Sequence, residues 1–174
     1  MMTQTERLFL SQLSTPLGYM GAVCDDTGLR YLDWQQSPLS YDLDENVVSR
    51  ETIYQLHLYL KGKLVTFTIP LSDVAVSASL LKWLHVMRDV PYGETVSYAE
   101  LANMWGNPKA ARAAGSACQR NPLPIMFPCH RIIGSDGRYD NYSGGDRLSA
   151  NSPANVARKK ALLDLEAGLK VIME

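Results

Sequence analysis

Cys129 and His130 stand side by side between Pro128 and Arg131, a nucleophile next to a base. A free thiol with a pKa near 8.5 is only about 3% thiolate at neutral pH, so a reacting cysteine needs a neighbour that takes its proton. His130 is that candidate. Adjacent side chains on an extended segment point to opposite faces, so contact between these two requires a turn or a bridging water. Pro128 favours the turn, because it fixes its own φ, contributes no N–H and drives Phe127 into an extended conformation. Taken alone, a Cys-His pair is more often a buried structural cysteine beside a satisfied histidine.

The flanking residues change that reading. PYGETVSYAELA from Pro91, GNPKAARAAG from Gly106, NPLPIMFPCHRIIG from Asn121 and NYSGG from Asn141 follow one another along the chain, and KALLDLE begins at Lys160. In order and mostly in spacing these motifs resemble the O6-alkylguanine-DNA alkyltransferases, single-turnover proteins that move an alkyl group from a guanine in DNA onto their own cysteine. The likeness covers a little over half the chain. In the N-terminal half it rests only on Thr15-Pro16-Leu17-Gly18.

The resemblance implies roles for particular residues. Cys129 would accept the alkyl group after losing its proton to His130 through a water, and Glu166 would hold His130. Asn121 would brace the turns beside the site. O6 of guanine lies within the stacked duplex, so the nucleotide must be flipped out, and Arg112 would fill the gap from the minor groove. Tyr98 would turn the nucleotide through its phosphate and donate its hydroxyl to N3 of the guanine, where charge develops. Ser97, Ala110, Ala111, Gly115 and Arg120 would meet the DNA alongside. Pro124 and Tyr142 would wall the alkyl pocket, Ser143 with the Cys129 and Ile132 backbones would hold the base, and Gly144 and Lys159 would complete the pocket. The implied partner is double-stranded DNA containing O6-alkylguanine, with O4-alkylthymine as a further substrate. No cofactor and no metal are expected, and the chain is expected to act as a monomer.

Composition bounds these expectations. The chain has 174 residues and is 46% hydrophobic, ample for a core. No apolar run approaches the roughly 20 residues of a membrane span, and Glu6 and Arg7 precede the first apolar cluster, unlike a signal peptide. A cytoplasmic protein is expected, or a nuclear one if the source is eukaryotic. Cys24, Cys118 and Cys129 are odd in number and far apart, which argues for reduced thiols and against a disulfide framework or metal knuckle. Cys24 and His57 have no partners at ligand spacing. The net charge of −1 is low for a nucleic-acid binder, but the charge is unevenly spread. Asp25, Asp26, Asp33, Asp42, Asp44, Glu45 and Glu51 face only Arg30 and Arg50 in the stretch 25–51, whereas Lys109, Arg112, Arg120, Arg131, Arg138 and Arg147 outweigh Asp136, Asp140 and Asp146 in 109–147. A polyanion should meet the second stretch.

The elements that position the site read as an α+β chain: a small N-terminal antiparallel sheet domain with a helix, residues 1–75, then a mostly helical domain, 76–174, carrying a helix-turn-helix and the Pro-Cys-His-Arg segment. Arg7 to Leu13, Tyr19 to Cys24 and Leu29 to Trp34 are strand-like and separated by turn residues. Asn46 to Lys61 has Val47, Ile53, Leu56 and Leu60 near helical spacing and stops at Gly62. Val65 to Ile69 has strand character, and 72–79 is the candidate boundary. Leu80 to Val90 predicts a helix with Leu80, Leu81, Leu84 and Met87 inward; Ser79-Leu80 and Trp83-Leu84 depart from the family's residues there. Ser97 to Glu100 fits a capping box that starts a helix at Tyr98 and ends near Gly106. Asn107 and Pro108 fit the N-cap and N1 of a second helix reaching about Cys118, completing a helix-turn-helix. Apart from Arg112 this second helix is almost bare, so its backbone can closely approach another surface.

Gly134 to Gly137 predicts a turn, and Tyr142-Ser143-Gly144-Gly145 a loop with exposed N–H groups. Asp146 to Arg158 is longer than the family's connection and predicts a mobile flap. Ser152-Pro153 caps a helix in which Lys159, Leu162, Leu163 and Glu166 share a face, so Glu166 pairs either with Lys159 or with a histidine. Two other functions share features of this chain. A module that recognises alkylated guanine without repairing it has tryptophan in place of Cys129, and a Cys-His-Glu hydrolase of another fold would turn over repeatedly and ignore DNA.

Overall fold

The computed structural model describes residues 6–73, 75–140, 142 and 148–174. Strands β1 (Phe9–Thr15), β2 (Gly18–Cys24) and β3 (Leu29–Gln35) form an antiparallel sheet in that order. The Thr15 hydroxyl donates to the Gly18 carbonyl (2.7 Å) and accepts from the Leu17 N–H (3.0 Å), closing the first hairpin. In the second, Asp25 Oδ1 accepts from the Thr27 and Gly28 N–H groups, and a Cβ on Gly28 would lie 2.6 Å from the backbone passing at Pro70 and Ser72. Period-two alternation turns Met20, Ala22, Cys24, Leu32 and Trp34 into the core.

Helix α1 (Val47–Leu60) covers this sheet, with Asn46 and Ser49 forming a reciprocal capping box and Gly62 at φ +69° ending it. Its buried face is Ser49, Thr52, Gln55, Leu56, Tyr59 and Leu60. Val47, though it fits the helical spacing, is 72% exposed, because polar groups take the inner positions at this end. Ser49, for instance, accepts from the Ser11 hydroxyl of β1 at 2.9 Å. Val65 to Ile69 is not a strand. The segment is held by a helix side chain, Gln55 bonding Thr68 through its amide oxygen (2.9 Å) and nitrogen (2.8 Å), and the chain bridges β3 just beyond it, where Leu71 pairs with Leu29.

Ser77 caps α2 (Ala78–Arg88), which buries Leu80, Trp83, Leu84 and Met87. Trp83 replaces the expected Leu81 on the inner face because it stacks on Trp105 of α3, with ring centroids 4.9 Å apart and 13° between planes; Leu81 is 39% exposed. The capping box of Ser97 and Glu100 opens α3 (Tyr98–Trp105), and Gly106 at φ +100° closes it. The next helix, α4 (Ala111–Gln119), starts later than expected. Asn107 turns its side chain to the Lys109 N–H (3.1 Å), so 107–110 forms a turn before the helix begins. α5 (Pro153–Glu166) opens at Ser152 with Pro153 in the first turn. One continuous core runs through both halves, and no described helix is long and apolar enough to cross a membrane. The expected α+β architecture is the one observed.

Candidate active site

Pro128 bends the chain as its ring demands. Cys129 N–H bonds the Phe127 carbonyl (2.8 Å), Arg131 N–H bonds that of Pro128 (3.0 Å), and Cys129–Arg131 forms one turn of 3-10 helix. Strand β5 (Ile132–Ile133) then pairs in parallel with β4 (Val96–Ser97), so the turn hangs from the residues that lead into α3. Upstream, Asn121 spans the approach, its amide donating to Phe127 O (2.7 Å) and accepting from Leu123 N–H (3.0 Å). Within that bracket Ile125 adopts φ +74°, a conformation unfavourable for a β-branched residue and held here by its surroundings.

The turn buries Cys129 (1% exposed) and His130 (0%). His130 Nε2 lies 2.8 Å from Glu166 Oε1. The same carboxylate accepts Arg131 Nε and Nη2 (2.8 and 3.0 Å), the Tyr59 hydroxyl (2.6 Å) and Gly93 N–H (3.2 Å). Burial alone would raise the pKa of Glu166, but the hydrogen bonds from His130, then from the Arg131 guanidinium and Tyr59, outweigh it and hold the group well below the usual carboxylate range. An ionised acceptor requires His130 to carry its proton on Nε2. Nδ1 is then a bare acceptor, and it is buried with no hydrogen-bond partner among the described residues. Burial, reinforced by the Arg131 and Lys159 charges, lowers the His130 pKa despite the pull of Glu166. The imidazole is a neutral base.

Burial raises the pKa of the Cys129 thiol, while the Asn121 amide, Lys159 and nearby backbone N–H groups counter the rise. The other thiols are less available: burial pushes Cys24 up to about 11, and Cys118 far above the ordinary range. No described His, Cys, Asp or Glu residues cluster as a metal site would require.

Lys159 does not pair with Glu166. Its ammonium is fully buried and donates to the carbonyls of Ile132 and Asp140 and to the Tyr98 hydroxyl (3.3 Å). The Tyr98 hydroxyl in turn donates to Asp140 O at 2.8 Å. Tyr142 is fully buried and accepts from the indole N–H of Trp34 (2.9 Å). Pro124 and Ile132 are buried beside the turn; Ser143 and Gly144, with Asp146 and Arg147 of the expected flap, lie outside the described residues. The flap expectation fails for 153–158, which belong to α5: Asn155 bonds Ser149 O (3.1 Å), and Arg158 bonds Leu17 O (3.1 Å) and covers the Trp34 ring. Leu162 and Leu165 are the buried leucines of that helix, so Leu162 faces inward as expected and Leu165 takes the place expected of Leu163.

Tyr98, Ala111, Arg112 and Gly115 line one shallow depression on the outer side of α3 and α4. Arg112 is exposed and Gly115 buried. Ser97 and Ala110 flank these helices, and Arg120 is exposed at the end of α4 with Nε on Ser116 O (3.3 Å). Sequence reasoning missed Tyr59, Trp34, Arg158 and the clasp of Arg131. Tyr59 and Trp34 sit in apolar stripes where an aromatic residue reads as core. For Arg131, its place two residues from the cysteine was the available signal.

Two family models cover most of the chain: the 6-O-methylguanine DNA methyltransferase ribonuclease-like domain over residues 8–72 and the DNA binding domain of the same family over 81–168. The methylated-DNA–protein-cysteine methyltransferase of Methanosarcina acetivorans is 32% identical, across 79% of this chain and 91% of that protein. Among solved structures, the Mycobacterium tuberculosis O6-methylguanine methyltransferase superposes with a TM-score of 0.77 at 29% identity, covering 94% of each chain. A second structure of the protein from that organism, in complex with DNA, gives 0.76 at 30% identity over 92% of this chain and 94% of that one.

Proposed function

This chain belongs to the O6-methylguanine DNA methyltransferase family and repairs DNA by transferring an alkyl group to a cysteine, and we propose that Cys129 is the acceptor and O6-alkylguanine in duplex DNA the substrate. One observation carries this reading: the bare, buried Nδ1 of His130, in a ring pinned through Nε2 to an ionised Glu166, one residue from the cysteine. Thiol and imidazole are both neutral at rest. The Cys129 proton passes through a water to Nδ1, and Glu166 stabilises the imidazolium that forms. The thiolate then attacks the alkyl carbon. The carbon–O6 bond breaks, its electron pair stays with the guanine, and Cys129 is left as a thioether.

The leaving guanine needs a donor where its charge develops. Tyr98 supplies it by moving its hydroxyl from the Asp140 carbonyl to N3, and the Lys159 ammonium favours negative charge at Cys129. Arg112 enters the duplex in place of the flipped nucleotide, with Ser97, Ala110, Ala111, Gly115 and Arg120 along the groove. Asn121 braces the approach, Pro124, Ile132 and Tyr142 enclose the alkyl group, and Ser143 and Gly144 hold the base. O4-alkylthymine enters the same pocket. Residues 1–75 support and 76–174 react, in a chain that acts as a monomer. Alkyl transfer from O6 to the thiolate balances in atoms and electrons without a cofactor.

Mass spectrometry after mixing with duplex DNA containing O6-methylguanine tests the assignment. One methyl group per chain is expected, on Cys129 and not on Cys118 or Cys24, with acceptance lost in Cys129→Ser. Many turnovers per chain, or a methyl group mapped elsewhere, would overturn it.

A further inference from the structure

The N-terminal half sends one polar group into the His130–Glu166 pair. Tyr59, on the inner face of α1, is 1% exposed and donates to Glu166 Oε1 at 2.6 Å, while its oxygen lies 3.4 Å from His130 Nε2. The ring alone has an ordinary packing role against Phe67 (centroids 5.3 Å apart) and Tyr92 (6.2 Å, edge-on), which phenylalanine would fill equally well. A hydroxyl buried this deeply is costly unless bonded, and its bond is made to the oxygen that holds the histidine. We propose that Tyr59 is a positioning residue for alkyl transfer, acting through Glu166 Oε1 to fix the orientation and proton affinity of His130.

The inference rests on the roles proposed above for Cys129, His130 and Glu166. Oε1 takes three donors: Tyr59, His130 and Arg131 Nη2. Each draws charge from the oxygen, so the tyrosine tempers the pull of the carboxylate on the imidazole. The titratable and charged groups around the pair are Tyr59 from α1, Tyr92 from the turn after α2, Cys129 and Arg131 from the 3-10 turn, and Lys159 from α5. Arg131 and Lys159 oppose a proton on His130 and Glu166 favours one. Of these groups Tyr59 comes from the other half of the chain, so α1 is part of the reactive assembly as well as a support for it.

Removing the hydroxyl returns charge to Oε1 and favours the imidazolium. His130 then loses its proton at a higher pH, and the acid limb of the reaction moves up. The test is the rate of Cys129 alkylation by free O6-benzylguanine against pH, using the full chain. Tyr59→Phe should raise the midpoint of the acid limb by about half a pH unit or more. Replacing Tyr59 with 3-fluorotyrosine, nearly isosteric and a stronger donor, should move the limb the other way, and it decides the matter if Tyr59→Phe does not fold. An unmoved limb in either folded Tyr59 variant, beside a shifted profile in Glu166→Gln, overturns the inference alone. A Glu166→Gln profile superimposable on the parent's overturns the underlying His130–Glu166 reading, and this inference with it.

Discussion

Arg131 clasps Glu166 with two bonds, Nε to Oε2 at 2.8 Å and Nη2 to Oε1 at 3.0 Å, and its remaining arm reaches Val90 O at 2.6 Å. The guanidinium therefore ties the residue beside His130 to the helix that holds His130. It also makes the carboxylate a structural anion, because neutralising Glu166 leaves Arg131 buried without a counter-charge.

Glu166→Gln should consequently do more than slow the chemistry. A stability loss of about 3 kcal/mol is expected from the broken buried pair. The sign with pH follows from the depressed pKa of Glu166: its contribution is complete above the ordinary carboxylate range and disappears as pH falls through the folded value. Urea midpoints of the parent should fall on acidification more steeply than those of the mutant. Parallel curves would show that Glu166 lends no charge-dependent stability.

Arg112→Ala should separate flipping from transfer. The side chain is exposed on α4, away from the His130–Glu166 network, and if it fills the vacated stack as proposed its loss leaves unstacking uncompensated by about 2 kcal/mol or more. Repair of duplex DNA should slow by about thirtyfold or more, whereas reaction with the free base should change little. Non-specific duplex affinity should drop modestly, since Lys109 and Arg120 remain to meet phosphates. Equal losses on duplex and free base would make Arg112 a support of the reacting site.

Trp34→Phe should loosen the pocket wall from the far side of the molecule. The indole N–H is bonded to the buried Tyr142 hydroxyl, and phenylalanine removes that donor while keeping a ring beneath Arg158. About 1 kcal/mol of stability should go with it. With Tyr142 walling the alkyl pocket as proposed, the ratio of benzyl to methyl transfer rates should change. A stability loss with an unaltered ratio would confine Trp34 to a packing role.

The local grammar of this chain is plainly written. Thr15 to Gly18, Asn46, Ser97 with Glu100, and Gly106 each announce a turn or a helix end, and each stands where its chemistry implies. Errors arose where side chains competed with backbone patterns. Asn107 satisfied a nearby N–H and delayed α4, and Gln55 captured the extended segment at Thr68 that periodicity had read as a strand. The Cys129, His130 and Glu166 constellation was legible from motifs close to one another in the chain. Tyr59 precedes His130 by 71 positions, and nothing in a helical stripe distinguishes a tyrosine that fills space from one that bonds a distant carboxylate.

Helix α5 carries two successive buried cations that face opposite ways. Arg158 reaches Leu17 in the first hairpin turn and Trp34 of β3, while Lys159 reaches Ile132 and Asp140, and Glu166 ends the same helix against His130. During synthesis this helix emerges from the ribosome after every residue it joins. A nascent chain that has exposed Cys129 but not yet Glu166 therefore carries an open cysteine of ordinary thiol character, neither buried nor beside a His130–Glu166 pair. Chains stalled before Ser152 should be alkylated by iodoacetamide with the pH dependence of a free cysteine, and the profile should change once Glu166 has emerged. Completing α5 thus packs the helix against the turn that buries Cys129 and sets Glu166 on His130 in one step.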